Sequence, residues 1–125
     1  MKIDQALEFQ YLYQRIKNEP LNIKVAYKLN KLYNQIMVEA SFYEDSLNKI
    51  LNKYAQKDEL GNFVQNKNNT GVLIEPEFIE ICHKEIRELQ SIEFDTGNII
   101  FSLDELEDLK LTLSELNCLQ DLIVD

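Results

Sequence analysis

A helix-rich α+β fold is what this sequence of 125 residues predicts, and three observations predict it. An apolar stripe recurs at the helical period over thirty residues. A second helical stripe follows Pro76. Short apolar stretches around turn residues interrupt the helical pattern in two places. Together they describe a mostly helical single domain over 1–125: a long antiparallel helical hairpin with small β-hairpins and short C-terminal helices.

The long stripe is Val25, Leu29, Leu32, Ile36, Ala40, Tyr43, Leu47, Leu51 and Tyr54. Its steps of three and four average about 3.6 residues, the period of a straight α-helix. No Pro or Gly interrupts it, so the backbone can stay helical from about 24 to 57. At ~1.5 Å per residue this rod is roughly 50 Å long and must pack against another helix or another molecule.

Ahead of it, Asp4 is the expected N-cap of a first helix reaching Asn18, with Phe9, Leu12, Tyr13 and Ile16 on one face. Pro20 ends that helix, and Leu21-Asn22 supplies a staple and N-cap for the long one. Lys24, Lys28 and Lys31 then line an outer, solvated face.

After the long helix, Phe63-Val64 and Val72-Leu73-Ile74 flank a polar turn and predict a hairpin over 62–75, with Gly61 as a helix stop or turn residue. Glu75-Pro76-Glu77 opens a helix over 76–90, with Pro in the first turn and acids at its positive end. Phe78, Ile79, Cys82, Ile86 and Leu89 form its apolar face. Packed antiparallel, it covers only about half of the long stripe. A second copy covering the rest predicts a homodimer or higher oligomer, associating through Leu32, Ile36, Tyr43 and Leu47. The first helix is the other candidate for that cover.

The period then drops to two: Ile92 and Phe94 alternate with Glu93 and Asp95, Thr96-Gly97-Asn98 turns, and Ile99-Ile100-Phe101 returns, a hairpin over 92–101. Ser102 with Glu105, and Thr112 with Glu115, have capping-box spacing. They start short helices within 103–123, whose buried sides fall to Leu106, Leu109, Leu113, Leu116, Leu119 and Leu122.

The residues offer little reaction chemistry. The single His83 adjoins Cys82, and helical neighbours point about 100° apart, so the two cannot address one atom. Cys82 and Cys118 match no metal or redox spacing and are expected as buried apolar residues. No EF-hand loop or glycine-rich phosphate cradle is present. The expectation is a protein with no catalytic residues, no cofactor and no metal site. No run of ~18 apolar residues and no signal-like N-terminus appears, which predicts a cytosolic chain with no membrane contact.

The net charge of −9 is unevenly spread: residues 75–125 hold three Lys/Arg against fourteen Asp/Glu. Such a half repels phosphate backbones and disfavours direct nucleic-acid binding. It suits a basic protein surface, with Glu93, Asp95, Asp104, Glu105, Glu107 and Asp108 as the candidate partner-binding residues.

Several segments carry a resemblance: Val25-Ala26-Tyr27-Lys28-Leu29, Phe42-Tyr43-Glu44, Lys53-Tyr54-Ala55-Gln56-Lys57-Asp58, Ile74-Glu75-Pro76-Glu77, Lys84-Glu85-Ile86-Arg87-Glu88-Leu89, Ile92-Glu93-Phe94 and Leu111-Thr112-Leu113-Ser114. Over roughly residues 22–123 their order resembles small helical-hairpin proteins encoded by bacteriophages and prophages. The resemblance implies a virus-encoded protein acting in the host cytoplasm or in the virion. Two roles follow from it: an inhibitor of a host defence or nucleic-acid-processing protein, or a component of virion tail or head assembly.

Overall fold

Helix α1 (Ile3–Ile16) lays its apolar face, Ala6, Phe9, Leu12 and Ile16, into the same core as Val25, Leu29, Leu32 and Ile36 of helix α2 (Ile23–Tyr54). The computed structural model describes residues 1–65 and 71–124. It is mostly helical, with five α-helices and a small sheet of two parallel strands. The other α-helices are α3 (Ile79–Gln90), α4 (Leu103–Leu106) and α5 (Leu113–Leu119), and the strands are β1 (Phe101–Ser102) and β2 (Ile123–Val124). The chain divides into two compact units, one formed by Met1–Phe42 with Ser91–Asp125 and the other by Tyr43–Gln90.

In the first unit, α1 begins at Ile3, ahead of the start at Gln5 that an Asp4 cap implied. The chain before it is held extended: Ile3 N–H donates to the Ile92 carbonyl at 3.0 Å, and Phe94 N–H to the Met1 carbonyl at 2.9 Å. The Gln5 side chain accepts from Lys2 N–H at 2.8 Å and supplies the cap instead. Tyr13 stacks on Tyr33 with ring centroids 3.9 Å apart, fixing α1 against α2. Asn22 caps α2 as its position in the sequence suggests, accepting from Lys24 N–H at 2.9 Å.

The expected hairpin over 92–101 does not form. Its turn exists, with Asp95 accepting from Gly97 N–H at 2.8 Å and Gly97 at φ +70°. Its two arms, however, pair elsewhere. Glu93 bridges Lys2, and Phe101–Ser102 pairs in parallel with Ile123–Val124. A period of two marks extended chain without naming its partner, and distant strands outcompeted the neighbouring one. The parallel pairing needs a long crossover, which α4 and α5 supply. Both capping boxes form: Glu105 N–H donates to Ser102 Oγ at 3.1 Å, and Glu115 N–H to Thr112 Oγ1 at 3.2 Å.

Two leucines depart from expectation. Leu106, Leu109, Leu119 and Leu122 are buried, but Leu113 is 81% exposed and Leu116 is 37% exposed. Leucines every three residues precess about 60° backwards per step, so four of them span half the helix circumference and cannot share one buried side.

In the second unit, α2 ends at Tyr54, slightly before the expected limit, because residues 55–57 leave the helix to bridge. Ala55 pairs with Ile74, Lys57 with Phe63, and Gln65 with Val72, all antiparallel. The 62–75 hairpin thus gains a third extended segment; its tip at 66–70 lies outside the described residues. A 3-10 turn at Pro76–Phe78 leads into α3. Tyr43 accepts from Gln90 Nε2 at 3.4 Å, Lys53 Nζ lies 3.2 Å from Glu85, and Tyr54 meets Phe78 with centroids 5.4 Å apart.

Burial sets the mutational cost. Leu32 and Ile36 are 0% exposed, so truncating either to Ala should cost ~2–5 kcal/mol. Leu47 is only half-buried, and its truncation should cost less than either. Urea midpoints for the three variants check this order.

Candidate protein-interaction surface

The C-terminal segment of the first unit combines exposed leucines with unneutralised acids. Leu103, Leu116, Asn117, Gln120 and Ile123 line an open cleft of about 350 Å³. Leu103 is 55% exposed at its edge. The core side of α5, Cys118 and Leu119, faces inward, which leaves Leu113 and Leu116 on the outer side. This apolar surface was missed in the sequence, although the three-residue leucine repeat carried the signal.

The six acidic residues expected to bind a partner are not equivalent. Asp104, Glu105 and Asp108 line one side of a separate cleft of about 470 Å³, opposite Lys24 and Lys28. Glu105 is already neutralised there, with both carboxylate oxygens accepting from Lys28 Nζ at 2.8 and 2.7 Å. That pair, with the capping bonds to Ser102, holds the Glu105 carboxyl below the usual carboxylate range. The expected solvated lysine face is therefore engaged at Lys28, whose ammonium also lies 5.8 Å from the centroid of the Phe101 ring. Asp95 closes its own turn onto Gly97, and Glu93 sits in the bridge to Lys2. Among the described residues the ion pairs are Arg15–Glu115, Lys28–Glu105 and Lys53–Glu85, so Asp104, Glu107 and Asp108 remain unneutralised.

A second tether joins α1 to α5. The Arg15 guanidinium donates to both Glu115 oxygens, at 2.7 and 2.8 Å, and to the Lys110 carbonyl at 2.9 Å. This fork pulls the Glu115 carboxyl down and raises the guanidinium further.

The residues assigned to self-association divide. Leu32 and Ile36 lie in the chain's own core at 0% exposure, covered by α1, and present no face to a second copy. That corrects their assignment: the first helix covers this part of the stripe. Tyr43 and Leu47 are half-buried in the other unit.

Cys82 and Cys118 are free and buried, as expected. Burial pushes the Cys82 thiol up, and burial with Glu8 and Glu115 nearby pushes Cys118 up to about 12. Both are thiols at neutral pH and poor nucleophiles. His83 is exposed while its neighbour Cys82 points inward, so they do not converge. Among the described residues, no group of three or more His, Cys, Asp or Glu could hold a metal ion, and no helix is long and apolar enough to cross a membrane. Protein-family models, curated proteins and solved structures yield no match to this chain.

The two tethers give a pH signature. Because the folded Glu105 and Glu115 carboxyls titrate below their unfolded values, their contribution is present above pH ~4.3 and is lost as pH falls through the folded values. Glu105→Gln with Glu115→Gln keeps both capping boxes and removes the charges. The gap in urea midpoint between this variant and the parent should be full at pH 6–7 and should close on acidification.

Proposed function

We propose that this chain is a non-enzymatic protein-binding protein whose C-terminal third docks on a basic surface of another protein. One observation carries the reading: leucines exposed to 81% and 55% and the unneutralised carboxylates Asp104, Glu107 and Asp108 belong to one stretch, 91–125, with one Lys against nine Asp/Glu. Exposed apolar side chains supply affinity on desolvation, and surrounding charge of one sign supplies steering and selects an oppositely charged partner.

The resemblance to phage-encoded proteins supports a host protein as that partner. An acidic surface stands where phosphates would sit in a nucleic-acid groove, which favours an inhibitor of a nucleic-acid-processing protein, such as a defence nuclease. We also read Tyr43–Tyr54 and α3 as an antiparallel helical hairpin. Its support is the reversed order of the contacts, Tyr43 with Gln90, then Lys53 with Glu85 and Tyr54 with Phe78.

The test is capture from host cells by the tagged parent chain and by two variants, Asp104→Lys with Glu107→Lys and Asp108→Lys, and Leu113→Asp with Leu116→Asp. All the substituted side chains lie at the surface, so far-UV circular dichroism should be unchanged. The parent should retain a basic protein at low salt and release it as salt rises beyond ~0.15 M, where the screening length falls below ~8 Å. Both variants should lose it. Equal capture by the charge-reversed chain would overturn the reading, and capture of a virion protein would establish the assembly role instead.

A further inference from the structure

Between Glu19 and Glu39 this chain of net charge −9 carries three lysines and no acid. Lys24, Tyr27 and Lys31 follow steps of three and four there, so they share one face of α2. With Lys28, Asn98 and Ile99 they line an open cleft of about 380 Å³, all of it within the first unit. Sites for small molecules span roughly 300–1,000 Å³.

One wall of the cleft is fixed and the other is uncommitted. Thr96 and Ile99 are each 6% exposed, and Asp95 accepts from Gly97 N–H, so Asn98 stands on a closed turn. Opposite it, Lys28 is engaged by Glu105, but Lys24 and Lys31 enter none of the ion pairs among the described residues. Tyr27 is 67% exposed and, unlike Tyr13 and Tyr33, meets no other ring among the described residues.

An open aromatic face with an ammonium about one turn to either side matches a ligand that is planar in one part and anionic in another. The planar part stacks on the ring, and the anionic oxygens meet the lysines. Nucleoside phosphates have this composition, and the Asn98 amide, donor and acceptor at once, suits the edge of a base. An acidic peptide would satisfy the lysines and leave Tyr27 uncovered. A nucleic-acid strand fits less well than one nucleotide. The adjoining cleft shares Lys24 and Lys28 and is lined by Asp104, Glu105 and Asp108, so phosphates running on into it would meet carboxylates.

We propose that this cleft binds a single nucleoside polyphosphate, with the base on Tyr27 and the phosphates held by Lys24 and Lys31. It engages none of the side chains of the partner surface proposed above, so either reading can fail alone. Titration calorimetry of the full chain at low salt should detect ATP, with adenosine and inorganic triphosphate both weaker. Tyr27→Ala should weaken ATP by about tenfold or more, the effect of losing one stacked base. Lys24→Ala with Lys31→Ala should bind ATP no better than adenosine. The three side chains are exposed, so circular dichroism should be unchanged in both variants. No binding of ATP at millimolar concentration, inorganic triphosphate binding as tightly as ATP, a short oligodeoxyadenylate binding more tightly, or an affinity untouched by Tyr27→Ala would each overturn the proposal.

Discussion

The structure depends on covering one long apolar stripe. α2 carries it without a break, and burying each large aliphatic side chain contributes about 1.5–3 kcal/mol. For Val25, Leu29, Leu32 and Ile36 the cover is α1 together with Ile99, Phe101, Leu106, Leu109, Leu119 and Leu122, all in one cluster. That explains why chain from both ends of the sequence joins a single unit. The middle of the sequence, Tyr43–Gln90, covers the remaining part of the stripe with α3 and three short extended segments, and covers it less completely.

Local and tertiary signals converge on two glutamates. Glu105 and Glu115 occupy the third position of their capping boxes, where each side chain accepts from the backbone N–H at the helix start. Each also receives a cation from a distant helix, Lys28 of α2 and Arg15 of α1. Starting α4 and α5 and tying them to the helices beneath are thus one electrostatic event at each site. A carboxylate accepting both kinds of bond is held in its charged form, which is why both titrate low.

The same electrostatics separates acids with a cationic partner from acids without one. The charge excess of the C-terminal third is reduced where it stabilises the fold, at Glu105 and Glu115, and persists at Asp104, Glu107 and Asp108. Exposed leucines on α4 and α5 follow from helices too short to bury more than one side. Both cysteines of the chain are buried, and His83 is exposed beside the inward-facing Cys82.

How much was legible varies element by element. The period of Val25–Tyr54, the Asn22 cap, the Pro76 start and both capping boxes were readable because each depends on residues within about four positions along the chain. The buried cysteines followed from composition alone. The Asp4 cap failed because a pairing with residues 92–94 pulled the helix start back to Ile3. The 92–101 hairpin failed for the same kind of reason: its arms were extended, but Lys2 and Ile123–Val124 took them. Which acids stay unneutralised, and which half of the stripe is closed over, also depended on residues brought together from far along the chain. Helix period and capping are local energies and so belong to the sequence. Strand partners, ion pairs and burial are energies of approach, and only the tertiary structure decided them.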